Sequence, residues 1–435
     1  MGRTSTIEQI YETVAIEDEG RACRDIPDSA CREEPRNFLA HVGALALSKS
    51  ADGLIDPKLV LSWLMTALGA PAFLLGLLVP VREAGALLPQ LFTAGAIRRL
   101  PQRKFVWAAG AFVQGLCAVG IGVSALLLEG AQAGWMIVGF LALLAVARSA
   151  CSVSYKDVLG KTVSKSRRGK ATGLAGTLSA AAIILFGLLL TFDIGDRFSL
   201  VVGALFLAGG LWLSGAVLFL SLQEQAGATE GGKAAFSAAM ENISLLREDA
   251  QLRLFILVRG LLTGTALAPP FMLAVAASGG GEQDYAVLGY LLLASALASL
   301  LSSYVWGRLA DRSSRKVLLF TGVVGAAALG GAAVAGYAGW LTNSLLLAGF
   351  LFVLMIAYQG VRLGRSTHLV DMATEETRAT YTALSNTVIG IVLLAGGLFG
   401  VLAAFAGSAT VLAVMAAMSA LAALAGMGLK EVQAE

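Results

Sequence analysis

The chain alternates long apolar runs with short stretches that gather its charged residues. Residues 317–340 and 408–429 contain no Asp, Glu, Lys or Arg. A helix needs roughly 20 apolar residues to cross about 30 Å of hydrocarbon, so each run is long enough for one crossing. Charged residues make up 14% of the chain, against about a quarter in soluble domains, and the chain therefore belongs in a bilayer. The expected crossings are 38–56, 70–94, 105–129, 132–154, 170–192, 199–221, 253–277, 285–305, 317–340, 342–366, 383–406 and 408–429. Leu59 to Ala70, between the first two, is amphipathic. It is expected at the outer interface, because Asp56-Pro57 stops one helix and Gly69-Ala70-Pro71 starts the next.

Charge placement orients these crossings. Loops after even crossings hold Arg98, Arg99, Arg103 and Lys104, then Lys156, Lys161, Lys165, Arg167, Arg168 and Lys170, then Lys233, Arg247 and Arg253. Later ones hold Arg308, Arg312, Arg315, Lys316 and Arg378. The opposite loops offer Lys58 and Arg197 beside Asp193, Asp196, Glu282 and Asp284. The asymmetry places both termini in the cytoplasm, with the chain in the cytoplasmic (inner) membrane. Residues 1–36 form a polar, acidic tail in which Ile7, Ile10, Tyr11 and Val14 mark a short surface helix. No apolar core of a cleavable signal peptide stands in that tail. Cys117 and Cys151 lie inside apolar helices and Cys23 and Cys31 in the tail, a placement that gives no disulfide framework and too few ligands for a metal.

One charged knot, Trp306 to Lys316, reads Gly307-x-x-x-Asp311-Arg312-x-x-Arg315-Lys316. About half the chain earlier, Gly95 to Lys104 repeats its Gly, Arg and Lys in register, with Arg103 matching Arg315. A second pair of segments, Val163 to Thr172 and Ala373 to Thr382, recurs at a similar offset, so the chain reads as a duplicated half. The spacing of the knot resembles the loop motif of the major facilitator superfamily (MFS) of secondary transporters. The resemblance implies an all-α integral membrane protein with twelve transmembrane helices in two six-helix pseudo-symmetric bundles. Residues 37–221 would form the first bundle and 253–430 the second. The segment 222–252 would be a cytoplasmic linker, with Phe236, Met240, Ile243 and Leu246 as an apolar face on the membrane, and 431–435 a tail. It also implies that crossings one, four, seven and ten line a central path, and that Gly95, Arg103, Gly307, Asp311, Arg312 and Arg315 belong to gating loops. The first copy departs from the motif, since Arg99 stands where Asp311 stands in the second.

An ionisable group at bilayer depth costs a few kcal/mol or more, so it marks a cavity or a partner. Such groups fall in crossings one (His41, Lys49, Asp52, Asp56), two (Arg82, Glu83), four (Arg148), seven (Arg259) and ten. Lys49, Asp52 and Asp56 share a helix face, and Lys49 and Asp52 are placed to pair. Arg82 and Glu83 point different ways, so one is expected to pair across to Lys49 or Asp52 while the other faces the cavity. Arg148 matches a superfamily arginine only in part, because Ser149-Ala150-Cys151-Ser152 follows it in place of a Gly-rich segment. Tyr358 and Gln359 offer hydrogen bonds in crossing ten, whereas Arg362 and Arg365 are expected to snorkel to the cytoplasmic surface. His41 reads as a satisfied polar residue and Asp56 as a helix end. Pro269-Pro270 predicts a bend in crossing seven, and Gly396-x-x-x-Gly400 a close backbone approach.

A carboxylate beside a cation can release and rebind a proton as the cation moves. Asp52 with Lys49, or Glu83 with Arg82, meets that description. The expectation is a secondary active transporter of a small solute, proton-coupled and working by alternating access. Lys49, Arg82, Arg148 and Arg259 outnumber Asp52 and Glu83, which favours an anionic organic substrate. A multidrug or sugar efflux permease is the alternative, and a non-transporting membrane sensor or assembly partner is the reading from another class. With two histidines, His41 and His368, no metal-ligand cluster and no G-x-x-x-x-G-K-[ST] loop, no enzyme, metal, cofactor or nucleic acid is expected. The partners expected are a small-molecule substrate, the lipid bilayer and the proton gradient, with the chain as a monomer.

Overall fold

The structure is a computed structural model that describes residues 28–192, 196–227, 229, 245–278, 286–374 and 377–433; within these, a few side chains, Asp311 among them, lie outside the description. Expectations for Ile7, Ile10, Tyr11, Val14, Phe236, Met240 and Ile243 fall outside the described residues.

The described regular structure is helical. The first half contains α1 (Asp28–Leu54), α2 (Val60–Ala67), α3 (Ala72–Arg98), α4 (Lys104–Leu127), α5 (Gly130–Thr162), α6 (Lys165–Thr191) and α7 (Arg197–Leu220). A short α8 (Leu245–Glu248) leads to α9 (Ala250–Leu261), α10 (Gly264–Leu267), α11 (Pro269–Ser278), α12 (Ala286–Arg312) and α13 (Ser314–Tyr337). After a 3-10 turn at Trp340–Thr342 come α14 (Ser344–Met372), α15 (Arg378–Ala395), α16 (Leu398–Ala406) and α17 (Ser408–Gly426). In lipid every backbone group must be satisfied within the segment, and these runs meet that demand as helices. Ten spans among the described residues are long and apolar enough to cross a membrane, or eleven if α12, bent by 40° between Ser302 and Tyr304, counts as one span. The polar α1, with His41, Lys49 and Asp52, falls outside that group.

The breaks follow from local chemistry. Pro269 and Pro270 lack backbone donors, and the seventh expected crossing divides into α9, α10 and α11 before and at them. Gly396-Gly397 separates α15 from α16. Close approach also marks α13, where a Cβ on Gly322 would meet Ala423 of α17 at 3.0 Å.

Packing is mostly within each half. In the first, α1 packs on α6 and α7, α4 on α5 and α7, and α3 on α5. In the second, α13 packs on α14 and α17, α12 on α14, and α9 on α15 and α17. The halves meet where α6 lies against α12 and α3 against α15 and α16. At both meetings glycines allow close approach: Gly76 of α3 faces Gly400 of α16, and Gly289 of α12 faces Gly187 and Thr191 of α6. All these residues stand near the helix ends opposite the basic loops.

Three expectations are corrected. Val60 to Met65 of α2 are buried, and the helix packs against α3 and against α11 of the other half rather than lying at an outer interface. Helix α1 begins at Asp28, inside the expected tail, and carries Glu34 into the interior at 1% exposure. Cys31 is disulfide-bonded, its partner lying outside the described residues, while Cys117 and Cys151 are free and buried.

Candidate functional site

Asp52 lies in the last turn of α1, Arg82 in mid α3 and Arg148 in α5, three helices brought together by first-half packing. Arg82 Nη2 donates to Asp52 Oδ1 at 2.6 Å, and Arg148 Nη1 donates to Asp52 Oδ2. One carboxylate thus holds two guanidiniums. Lys49, one turn earlier, does not pair with Asp52. Its Nζ donates to the Thr172 carbonyl of α6 at 3.3 Å.

Arg82 and Glu83 diverge as adjacent helical residues must. Glu83 lines a cavity with Arg259, Thr263, Tyr358, Arg362 and Arg365. Arg362, exposed, and Arg365, half-buried, line that cavity from α14. Arg259 is 6% exposed. It donates to Ser385 Oγ at 2.7 Å and to Asn386 Oδ1 at 2.9 Å, both on α15. Its Nε is buried without a hydrogen-bond partner.

Lys58 is the residue that sequence reasoning missed. It is 8% exposed, and its Nζ sits 3.7 Å from the centroid of the Tyr358 ring. Arg362 approaches the same ring at 5.9 Å. A lysine after Asp56-Pro57 reads as a loop charge; the signal that could have found it is its rarity on a face otherwise acidic. Asp56 Oδ1 accepts from the Lys58 and Leu59 amides at 2.9 and 3.0 Å, which fixes the loop that delivers the lysine. His41 is held structurally: Nε2 is 2.7 Å from Thr162 Oγ1, and the ring lies edge-on to Tyr155 and Phe219.

The two basic loops are anchored differently. Gly95 lies in the last turn of α3, and Arg103 precedes α4. Arg103 pairs with Asp157 of α5 and donates to the Arg98 carbonyl at 2.7 Å. Its amide and that of Lys104 donate to the two oxygens of Glu224 at 3.0 and 2.7 Å. Lys161 bridges Asp157 at 2.8 Å and Glu224 at 3.0 Å. In the second loop, Gly307 and Arg312 lie on the last turns of α12, Arg312 exposed. Arg315 donates to the Met427 carbonyl at 2.6 Å.

No protein-family model matches the chain. Over 146 residues it is 31% identical to a multi-drug resistance efflux pump PmrA homolog of Lactococcus lactis subsp. lactis (strain IL1403), a stretch that covers 33% of this chain and 34% of that protein. The chain thus aligns with about a third of the length of that curated relative. Among solved structures, nucleoside transporter NupG superposes with a TM-score of 0.63 at 12% identity, covering 90% of this chain and 98% of that one. A D-xylose-proton symporter gives 0.66 at 13% identity over 91% and 98%. A POT family transporter in complex with a thioalcohol-conjugated peptide gives 0.67 at 9% identity over 93% and 98%. These likenesses establish the architecture. The chain is an all-α, multi-pass membrane protein with the fold of major facilitator transporters.

Proposed function

We propose that the protein is a secondary active transporter that carries a small anionic organic solute by alternating access and is coupled to protons. The halves 37–221 and 253–430 would rock about the charged lumen, with the basic loops cytoplasmic and the chain acting as a monomer in the cytoplasmic membrane. The observation that carries the reading is the charge imbalance at the lumen. Asp52 is shared by Arg82 and Arg148, while Glu83 faces Arg259, Arg362 and Arg365 across the cavity. Uncompensated cations in a low-dielectric site attract an anion directly. A proton taken up by Asp52 or Glu83 cancels that carboxylate, releases its guanidiniums, and leaves the lumen's positive charge to be met by substrate. The glycine contacts and the Lys58–Tyr358 contact then form the closed end of the path in this conformation.

The test is uptake and counterflow in vesicles of purified protein, with and without an imposed pH gradient. Transport should follow the gradient, and Asp52→Asn and Glu83→Gln should uncouple it. Equal rates with and without the gradient, together with unaltered rates in both variants, would defeat the proposal. Saturable binding without exchange would favour the sensor reading. A drug-export reading is favoured by the efflux-pump relative; a carrier of lipophilic cations would be expected to show a carboxylate excess, and the lumen shows the opposite.

A further inference from the structure

Three arginines are buried to nine-tenths or more among the described residues: Arg103, Arg167 and Arg259. Two of them rest on carboxylates, Arg103 on Asp157 and Arg167 on Glu34 at 3.1 Å. Arg259 has neutral acceptors only, Ser385 and Asn386, and one buried N–H without a partner. A buried guanidinium without a counter-ion is expensive to maintain. This one is placed at a cavity wall, with Arg362 and Arg365 on the facing helix α14 and Glu83 as the single carboxylate among the lining residues. The wall carries three positive charges and one negative; with Glu83 protonated, a monoanion leaves two of the three positive charges unmet and a dianion only one.

We propose that this cavity binds a small organic dianion, one acid group held by Arg259 and the other by Arg362 and Arg365. Glu83 is the resident counter-ion that the ligand displaces, and it takes up a proton as it is displaced. The inference rests on the anion-transport reading above. Carboxylate and phosphate share the planar, bidentate match to guanidinium, so the ligand is a dicarboxylate or a phosphomonoester.

The experiment is calorimetric titration of the full chain in detergent with succinate, propyl phosphate, butyrate, glucose and tetraphenylphosphonium, with proton uptake followed by an indicator in weak buffer. Succinate or propyl phosphate should bind at least about tenfold more tightly than butyrate, since each further charge-assisted contact is worth that much. Whichever of the two binds names the source chemistry. Arg259→Gln should weaken it by about tenfold or more, and Arg259→Lys, which keeps the charge but loses the fork, by less. Glu83→Gln should tighten dianion binding and abolish proton uptake. Thermal unfolding identifies any variant that has failed to fold, and Arg259→Lys then stands in for Arg259→Gln. Equal affinity for butyrate and succinate, or folded Arg259 variants that bind as wild type does, overturns the dianion assignment and leaves the anion reading standing. Binding of glucose or tetraphenylphosphonium alone overturns both. No heat from either dianion at millimolar concentration also overturns the inference.

Discussion

Gly76→Ala tests how the two halves are held together. A Cβ at Gly76 would stand 2.5 Å from Gly400 Cα and 2.8 Å from its nitrogen. A Cβ at Gly400 would stand 2.7 Å from the Phe73 carbonyl oxygen and 3.1 Å from Gly76 Cα. These are backbone atoms, so no rotamer relieves the clash. Bringing the pair to an ordinary carbon contact of about 3.5–4 Å requires α3 and α16 to separate by about 1 Å. Overpacking of this kind costs about 1–3 kcal/mol, and it is felt only while that face is sealed, because a conformation with α3 and α16 apart gives the methyl room. The equilibrium should therefore move toward opening at that face by about 5- to 150-fold. The intrinsic preference of a helix for Ala over Gly, about 1 kcal/mol, acts equally in both conformations and does not alter this ratio. The readout is maleimide labelling of Ala266→Cys, at the cavity wall, by an impermeant reagent added from the sealed face, with the unsubstituted chain as control for Cys117 and Cys151. Labelling should accelerate in Gly76→Ala and in Gly400→Ala, and the double variant should gain less than the sum, since one separation relieves both clashes. A normally folded Gly76→Ala protein that labels at the wild-type rate would refute the reasoning.

Asp52→Asn removes the anion shared by Arg82 and Arg148. Thermal unfolding should show a loss at or below the roughly 3–5 kcal/mol typical of breaking a buried pair, because Arg148 retains 32% exposure; the Asp52→Asn/Arg148→Gln double variant should lose less than the two singles summed. Lys58→Met keeps the apolar stem but loses about 0.5–2 kcal/mol of attraction to the Tyr358 ring, so labelling of Ala266→Cys from the sealed face should rise, with Lys58→Arg close to wild type. Asp249, just outside the membrane span of α9 to α11, caps α9 through the Gln251 and Leu252 amides at 2.8 and 3.0 Å and accepts from the Tyr381 hydroxyl at 2.7 Å. Partial burial opposes its charge, but those three bonds outweigh it and hold the carboxyl below its usual range. A depressed folded value means stability that is full above the unfolded value near 3.9 and lost as pH falls through the folded one. Asp249→Ala should therefore cost about 0.5–2 kcal/mol at neutral pH, with the gap to wild type narrowing below about pH 4.

The helical runs were legible because length and apolarity alone decide them; the expected crossing 105–129, for instance, matches α4 at Lys104–Leu127. Which charges would meet was legible only in part: the expected pairing from crossing two onto Asp52 is made, by Arg82. Asp52 is reached by Arg82 and Arg148 rather than by Lys49 because pairing depends on which faces of α1, α3 and α5 converge. Residues 60–67 are too short to cross a bilayer and read as interfacial, yet tertiary packing buries them between the halves. Arg362 and Arg365 could reach either water or the cavity, and spacing within one helix does not distinguish the two.

The duplicated loops show how a motif survives the loss of one of its members. What the cations at Arg103 and Lys161 require is a carboxylate within reach, and its place in the chain is immaterial. With Arg99 standing where the second copy has Asp311, Asp157 from α5 and Glu224 from beyond α7 supply that charge. Glu224 also accepts the first amides of α4, where a negative group is favoured by the helix dipole. Glu34 does the same for α6, taking the Ser164 amide at 2.8 Å and Arg167. Both carboxylates come from segments that read as tail or linker, and both are almost fully buried. The basic face of the first half is therefore organised by residues outside its repeated motif, and substitutions there should disturb α4 and α6 together with the loop they flank.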